Sequence, residues 1–76
     1  MSEIELIEIF AGNLGSAMED ARMTQADLAR ETGLSEAAVS RYLAGARMPT
    51  IRAIVNICCV LNCDFEDLIP TYEIVE

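Results

Sequence analysis

Histidine, lysine and tryptophan are all absent from these 76 residues. Without histidine, the commonest general base of neutral-pH catalysis is missing. No phosphate-cradling glycine loop and no convincing nucleophile–base pair takes its place. A chain this short buries roughly 60% of its unfolded surface and has no room for an enclosed active site. The expectation is a single domain over residues 1–76 that is not an enzyme, with no cofactor, metal or small-molecule substrate. No apolar run approaches the roughly 18 residues of a membrane span, and the N-terminus lacks the basic region of a signal peptide. Three cysteines, an odd number, do not make a disulfide framework, and a cytoplasmic protein is the simplest expectation.

What is present is aliphatic. Hydrophobic residues make up 53% of the chain although it holds only two Phe and two Tyr. That composition favours a folded aliphatic core over disorder. It is also more apolar material than a lone small domain buries with ease, which leaves some for a second copy.

The net charge is −8, but it is unevenly spread. Residues 1–21 carry five acids and no cation. Residues 22–52 carry all five arginines against Asp27, Glu31 and Glu36, and residues 53–76 again carry five acids alone. Every cation is therefore a guanidinium, suited to bidentate contact with phosphate or guanine, and all sit in the central window.

Four helix starts share one grammar: an apolar residue, a capping oxygen, then an apolar residue at the fourth helical position. Met23, Thr24, Asp27 and Leu28 spell it as a capping box with a staple. Leu34, Ser35 and Val39 repeat it, as do Pro49, Thr50 and Ile54, then Cys63, Asp64, Asp67 and Leu68. Gly33, Gly45 and Asn62 stand where a left-handed stop is wanted, and Pro70 closes the series. An earlier helix is marked by Phe10, Leu14, Ala17, Met18 and Ala21 at helical spacing. Gly12 and Gly15 weaken it by about 1 kcal/mol each relative to Ala. These signals predict helices near 6–21, 24–32, 35–44, 50–61 and 64–69. Residues 1–5 and 71–76 are terminal extensions. The alternation in Glu3-Ile4-Glu5-Leu6 and in Tyr72-Glu73-Ile74-Val75 fits either a paired strand or a cover over the core.

The second and third helices meet at a very short turn around Gly33-Leu34, which forces a steep crossing. Ala29 is small where the backbones touch, Leu28 and Val39 supply core contacts, and Gly33 accepts the left-handed turn. The segment TQADLARETGLSEAAVSRYLAGARMP resembles the phage repressor and Cro-like helix-turn-helix family, also called the xenobiotic-response-element type. The resemblance continues through TIRAIVNICCVLNCDFEDLI and covers about residues 10–69. It implies an all-α, five-helix lambda-repressor-like domain that binds double-stranded DNA, commonly as a homodimer on a palindromic operator.

On a helical wheel of the third helix, Val39, Tyr42 and Leu43 cluster on the core side, and Ala37, Ser40, Arg41 and Ala44 fall opposite. In this motif the N-terminal part of the second motif helix meets base edges. Arg41 is the leading base reader, because a guanidinium fits guanine O6 and N7. Ala37 can touch a thymine methyl, Glu36 can accept from a cytosine amine, and Ser40 can reach a base or a phosphate. The resemblance also implies that Gln25 anchors a phosphate at the start of the first motif helix. Arg47, Thr50 and Arg52 follow the recognition helix as further phosphate contacts. Each arginine also reads as an ordinary solvated side chain. Arg22 and Arg30 read that way first, or as partners of nearby acids.

Two departures stand out. Family members often pair an Arg in the first helix with a Glu in the recognition helix, and here Met18 and Leu43 occupy the matching positions. The first helix is also free of cations, which limits phosphate contacts to three or four per subunit and makes dimerisation important. Cys58, Cys59 and Cys63 without histidine make a poor zinc site. Cys58, placed on a stripe with Ile51, Ile54, Val55 and Leu61, reads as a core residue, and Cys59 as exposed and oxidisable. A rival reading takes the acidic ends and surplus apolar surface as an interaction module that keeps the fold without needing DNA.

Overall fold

The computed structural model of the chain describes residues 2–70. Five helices follow one another: α1 Glu3–Ala21, α2 Gln25–Thr32, α3 Glu36–Leu43, α4 Ile51–Leu61 and α5 Phe65–Leu68. Their order and type match the sequence reading. No strand occurs among the described residues.

The first helix begins earlier than its apolar spacing predicts. Ser2 is its cap: the Ser2 Oγ accepts from the Glu5 N–H at 3.2 Å and donates to Glu5 Oε1 at 3.1 Å. Residues 3–6 are thus the first turn of α1, and the alternation there is not a strand. The possible strand at 72–75 lies outside the described residues. Thr24, Ser35 and Thr50 cap α2, α3 and α4 as expected, each hydroxyl accepting from the backbone N–H three residues on, at 3.0–3.1 Å. At α5 the Asp67 carboxylate reaches back to the Asp64 N–H at 2.8 Å.

The stops are left-handed at Gly33 (φ 79°), Gly45 (φ 67°) and Asn62 (φ 53°), all three expected. Arg22 joins them at φ 57°. There a backbone bond from Met23 N–H to Met18 O at 3.0 Å closes the end of α1. An analogous bond of 3.1 Å runs from Cys63 N–H to Cys58 O at the end of α4. These six-residue loops satisfy carbonyls that the helix ends leave free.

Every helix sends at least one side chain into the core. Phe10 and Leu14 come from α1, Leu28 from α2, Val39 from α3, Ile57 from α4 and Leu68 from α5, and all six are fully buried. Each such burial contributes about 1.5–3 kcal/mol. The Tyr42 ring meets Phe10 edge-on, with centroids 5.9 Å apart at 80°. Asn13 Nδ2 donates to the Leu68 carbonyl at 2.9 Å, fastening α5 to α1.

Two stripes differ from expectation. On α1, Phe10, Leu14 and Met18 are buried, but Ala17 is half-buried and Ala21 exposed. On α4 the core face is Ala53, Ile54 and Ile57, while Ile51 is 75% and Val55 50% exposed. Cys58 is half-buried at the edge of that face. The apolar residues of α4 lie on nearly all sides, so periodicity alone does not select the face; packing against α2 and α1 does.

Gly12 is exposed in mid-helix, and a Cβ added there meets nothing within 4 Å. Gly12→Ala therefore stabilises the fold by about 1 kcal/mol. The thermal midpoint rises by roughly 4–8 °C, measurable by circular dichroism. An unchanged or lowered midpoint would mean that α1 gains nothing from helix propensity.

Candidate nucleic-acid interface

The interface is built on the α2–α3 turn. Between Thr32 and Glu36 the chain reverses direction through Gly33, Leu34 and Ser35. The Thr32 hydroxyl clamps this turn: it donates to the Leu28 carbonyl at 2.6 Å and accepts from the Leu34 N–H at 3.2 Å. Gly33 takes the left-handed conformation that a Cβ disfavours. With Leu28, Ala29, Ala38 and Val39 buried at the crossing, the two helices hold a fixed angle.

Burial then decides what α3 shows to solvent. Ala38, Val39 and Tyr42 face the core and Leu43 packs against it, leaving Glu36, Ala37, Ser40, Arg41 and Ala44 exposed. This is the face read from the helical wheel. Ala38 joins the core side, which the wheel did not assign. Ser35 is also exposed at the start of α3. Its oxygen accepts from Ala38 N–H, so its own proton remains available to a phosphate.

The expected phosphate contacts are all on the surface. Gln25 is exposed at the first position of α2, Arg47 is exposed in the loop after α3, and Arg52 is exposed in the first turn of α4. The Thr50 hydroxyl accepts from the Ala53 N–H at 3.1 Å and keeps its proton to donate. Among the described residues, Arg30 alone of the arginines is ion-paired, to Asp27 at 3.0 Å and Glu31 at 4.0 Å. Arg22 caps α1 on the surface. Arg41, Arg47 and Arg52 are exposed, and among the described residues none of them is ion-paired.

The profile of the Cro/C1-type HTH DNA-binding domain matches residues 13–73. The chain belongs to this family. Its fold is similar to the solution structure of the SOS-response transcriptional repressor LexA from Eubacterium rectale, with a TM-score of 0.82 at 25% identity. That likeness covers 91% of this chain and 73% of the other. No curated protein sequence matches the chain.

Within this Cro/C1-type domain, the two positions that depart from the usual ion pair are both apolar and both in or against the core. Met18 is buried, and Leu43 Cδ2 lies 3.9 Å from where a Cβ on Gly15 would sit. Exchanging such a pair as a unit leaves no charge stranded. No helix among the described residues is long and apolar enough to cross a membrane.

One titration bears on the motif's stability. The Thr24 N–H, helped by the Thr24 hydroxyl and the Arg30 guanidinium, holds the Asp27 carboxyl below its usual value. A carboxyl depressed in the folded state contributes stability above its unfolded pKa, and loses it as pH falls through the folded value. Asp27→Asn is therefore less stable than wild type at neutral pH. The gap closes as pH drops below about 4. Urea melts across that range check this, and a gap that stays constant with pH would sink the argument.

Proposed function

We propose that this protein is a sequence-specific double-stranded DNA-binding regulator, a cytoplasmic repressor that acts as a homodimer on a palindromic operator. The observation that carries the reading is the exposed α3 face with Arg41 on it, in a member of a DNA-binding family. The similar solved structure carries the name of a transcriptional repressor. In this reading Arg41 reads guanine, Glu36, Ala37 and Ser40 complete the base contacts, and Gln25, Arg47, Thr50 and Arg52 hold phosphates. The small side chains of that face leave much of the specificity to DNA shape. Repression is by occupancy, with two recognition helices in major grooves about 34 Å apart. Nothing in the proposed mechanism requires catalysis.

The second copy is proposed to meet α4. Its outward stripe of Ile51, Val55 and Cys59 is exposed, and Phe65 of α5 is 39% exposed. In a chain with 13 acids, α4 contains none, so two negatively charged copies can meet there without facing carboxylates. Val55→Asp should then give the mass of one chain, 8.3 kDa, where wild type is dimeric, with helix content unchanged. Wild type running as a monomer at high concentration would remove this interface.

Selection from a random duplex pool, at low and moderate salt, tests the main reading. Wild type is expected to enrich a palindrome. Arg41→Ala should lose preference at one symmetric position, worth about 1–3 kcal/mol per contact. Enrichment of nothing, even at low salt, would leave DNA without support and favour a protein partner for the acidic surfaces.

A further inference from the structure

The end of α4 brings two thiols together, independently of any role in DNA binding. Asn62 turns left-handed, and the following N–H, that of Cys63, bonds back to the Cys58 carbonyl at 3.1 Å. A carbonyl oxygen lies about 2.4 Å from its own Cα and an amide nitrogen about 1.5 Å from its Cα. Adding the hydrogen bond caps the Cα–Cα separation at about 7 Å, and any bend shortens it. Disulfides form at Cα separations of about 4.4–6.8 Å. In this type of helix end the first and last side chains of the loop characteristically touch. Here they are both cysteines. Cys59, one residue along the helix, is exposed on another side.

We propose that Cys58 and Cys63 are an oxidation site, which a peroxide converts to an intrachain disulfide that staples the end of α4 to the start of α5. Access is through the Cys63 side, because Cys63 lines an open cleft of about 470 Å³ together with Asn13, Asp20, Leu61 and Asp67. The acidic rim favours a neutral oxidant such as hydrogen peroxide over an anionic one. Burial pushes the Cys58 thiol up to about 11, so it remains protonated. Burial raises Cys63 as well, and Cys63 is the attacking sulfur because it is the one that lines the cleft. Its thiolate attacks one peroxide oxygen and the O–O bond breaks. The departing hydroxide takes up the proton that Cys63 released, giving water and a sulfenic acid. Cys58 sulfur then attacks the sulfenic sulfur, its proton leaves with the hydroxyl as a second water, and the S–S bond forms. Two thiols lose two electrons and one peroxide is reduced to two waters.

The test treats the full chain and Cys59→Ser with equimolar hydrogen peroxide, then counts thiols and mass under denaturing conditions. No arginine or lysine follows Arg52, so trypsin leaves all three cysteines on the fragment 53–76. Cys59→Ser is expected to lose two hydrogens on that fragment, retain no free thiol and remain a single chain on a non-reducing gel. Dithiothreitol should restore both thiols. Wild type should retain one free thiol, and the oxidised form of each should melt at a higher temperature than the reduced form. Adding Cys58→Ser to Cys59→Ser should abolish the hydrogen loss, with circular dichroism checking that this variant folds. The proposal is overturned if Cys59→Ser keeps two thiols, gains oxygen instead of losing hydrogen, or links only between chains.

Discussion

An eight-residue helix does not hold itself in water, where isolated helices below about 12–15 residues are marginal. α3 has eight residues, and everything it presents to solvent depends on what it buries. Val39 is fully enclosed, and the Tyr42 ring lies against Phe10 of α1, an aromatic pair worth about 0.5–1.5 kcal/mol beyond its buried area. The long helix α1 is therefore the support on which the recognition face rests, although it carries none of the candidate DNA contacts. Changes to Phe10 or Leu14 reach the interface through α3 without touching it.

The second constraint is angular. α2 is also eight residues long, and Leu28, Ala29, Ala38 and Val39 bury the place where it crosses α3. The Thr32 hydroxyl bridges the last turn of α2 and the N–H of Leu34, so the chain leaves α2 along one path. A threonine late in a helix commonly bonds back to a carbonyl four residues earlier. Here the same oxygen also satisfies a turn amide, which converts a local preference into a fixed junction.

What could be read from the sequence follows from what is local. Thr24, Ser35 and Thr50 were legible as caps because a cap needs only its own first turn. Gly33, Gly45 and Asn62 were legible as stops for the same reason. Ser2 was locally legible too, since Ser2 and Glu5 have capping-box spacing, but the alternation of Ile4 and Leu6 obscured it. Arg22 gave no signal, because nothing in an arginine announces a left-handed conformation. The outward face of α3 was legible because its small and polar residues contrast with Val39 and Tyr42. The face of α4 was not, since a helix apolar on nearly every side takes its orientation from its neighbours. Ile51 and Val55 were placed inside for that reason, and they are exposed.

The acidity of the chain, which by itself weighs against contact with phosphates, is partly accounted for by helix ends. Glu3 and Glu5 open α1, Asp27 lies in the first turn of α2, Glu36 opens α3, and Glu66 and Asp67 open α5. Negative charge is favourable at each of these places, because the helix dipole leaves partial positive charge there. α4 is the exception: its first turn has no acid, and holds the Thr50 hydroxyl and Arg52 instead. At that start a phosphate would meet no carboxylate, whereas a phosphate on Gln25 would share the first turn of α2 with Asp27, whose carboxylate is engaged by the Thr24 N–H and Arg30. Glu36, by contrast, would repel a phosphate and can accept from a cytosine amine, which fits a residue that faces bases rather than backbone. All five arginines lie in residues 22–52 with only three of the 13 acids, so the net charge does not exclude the proposed partner.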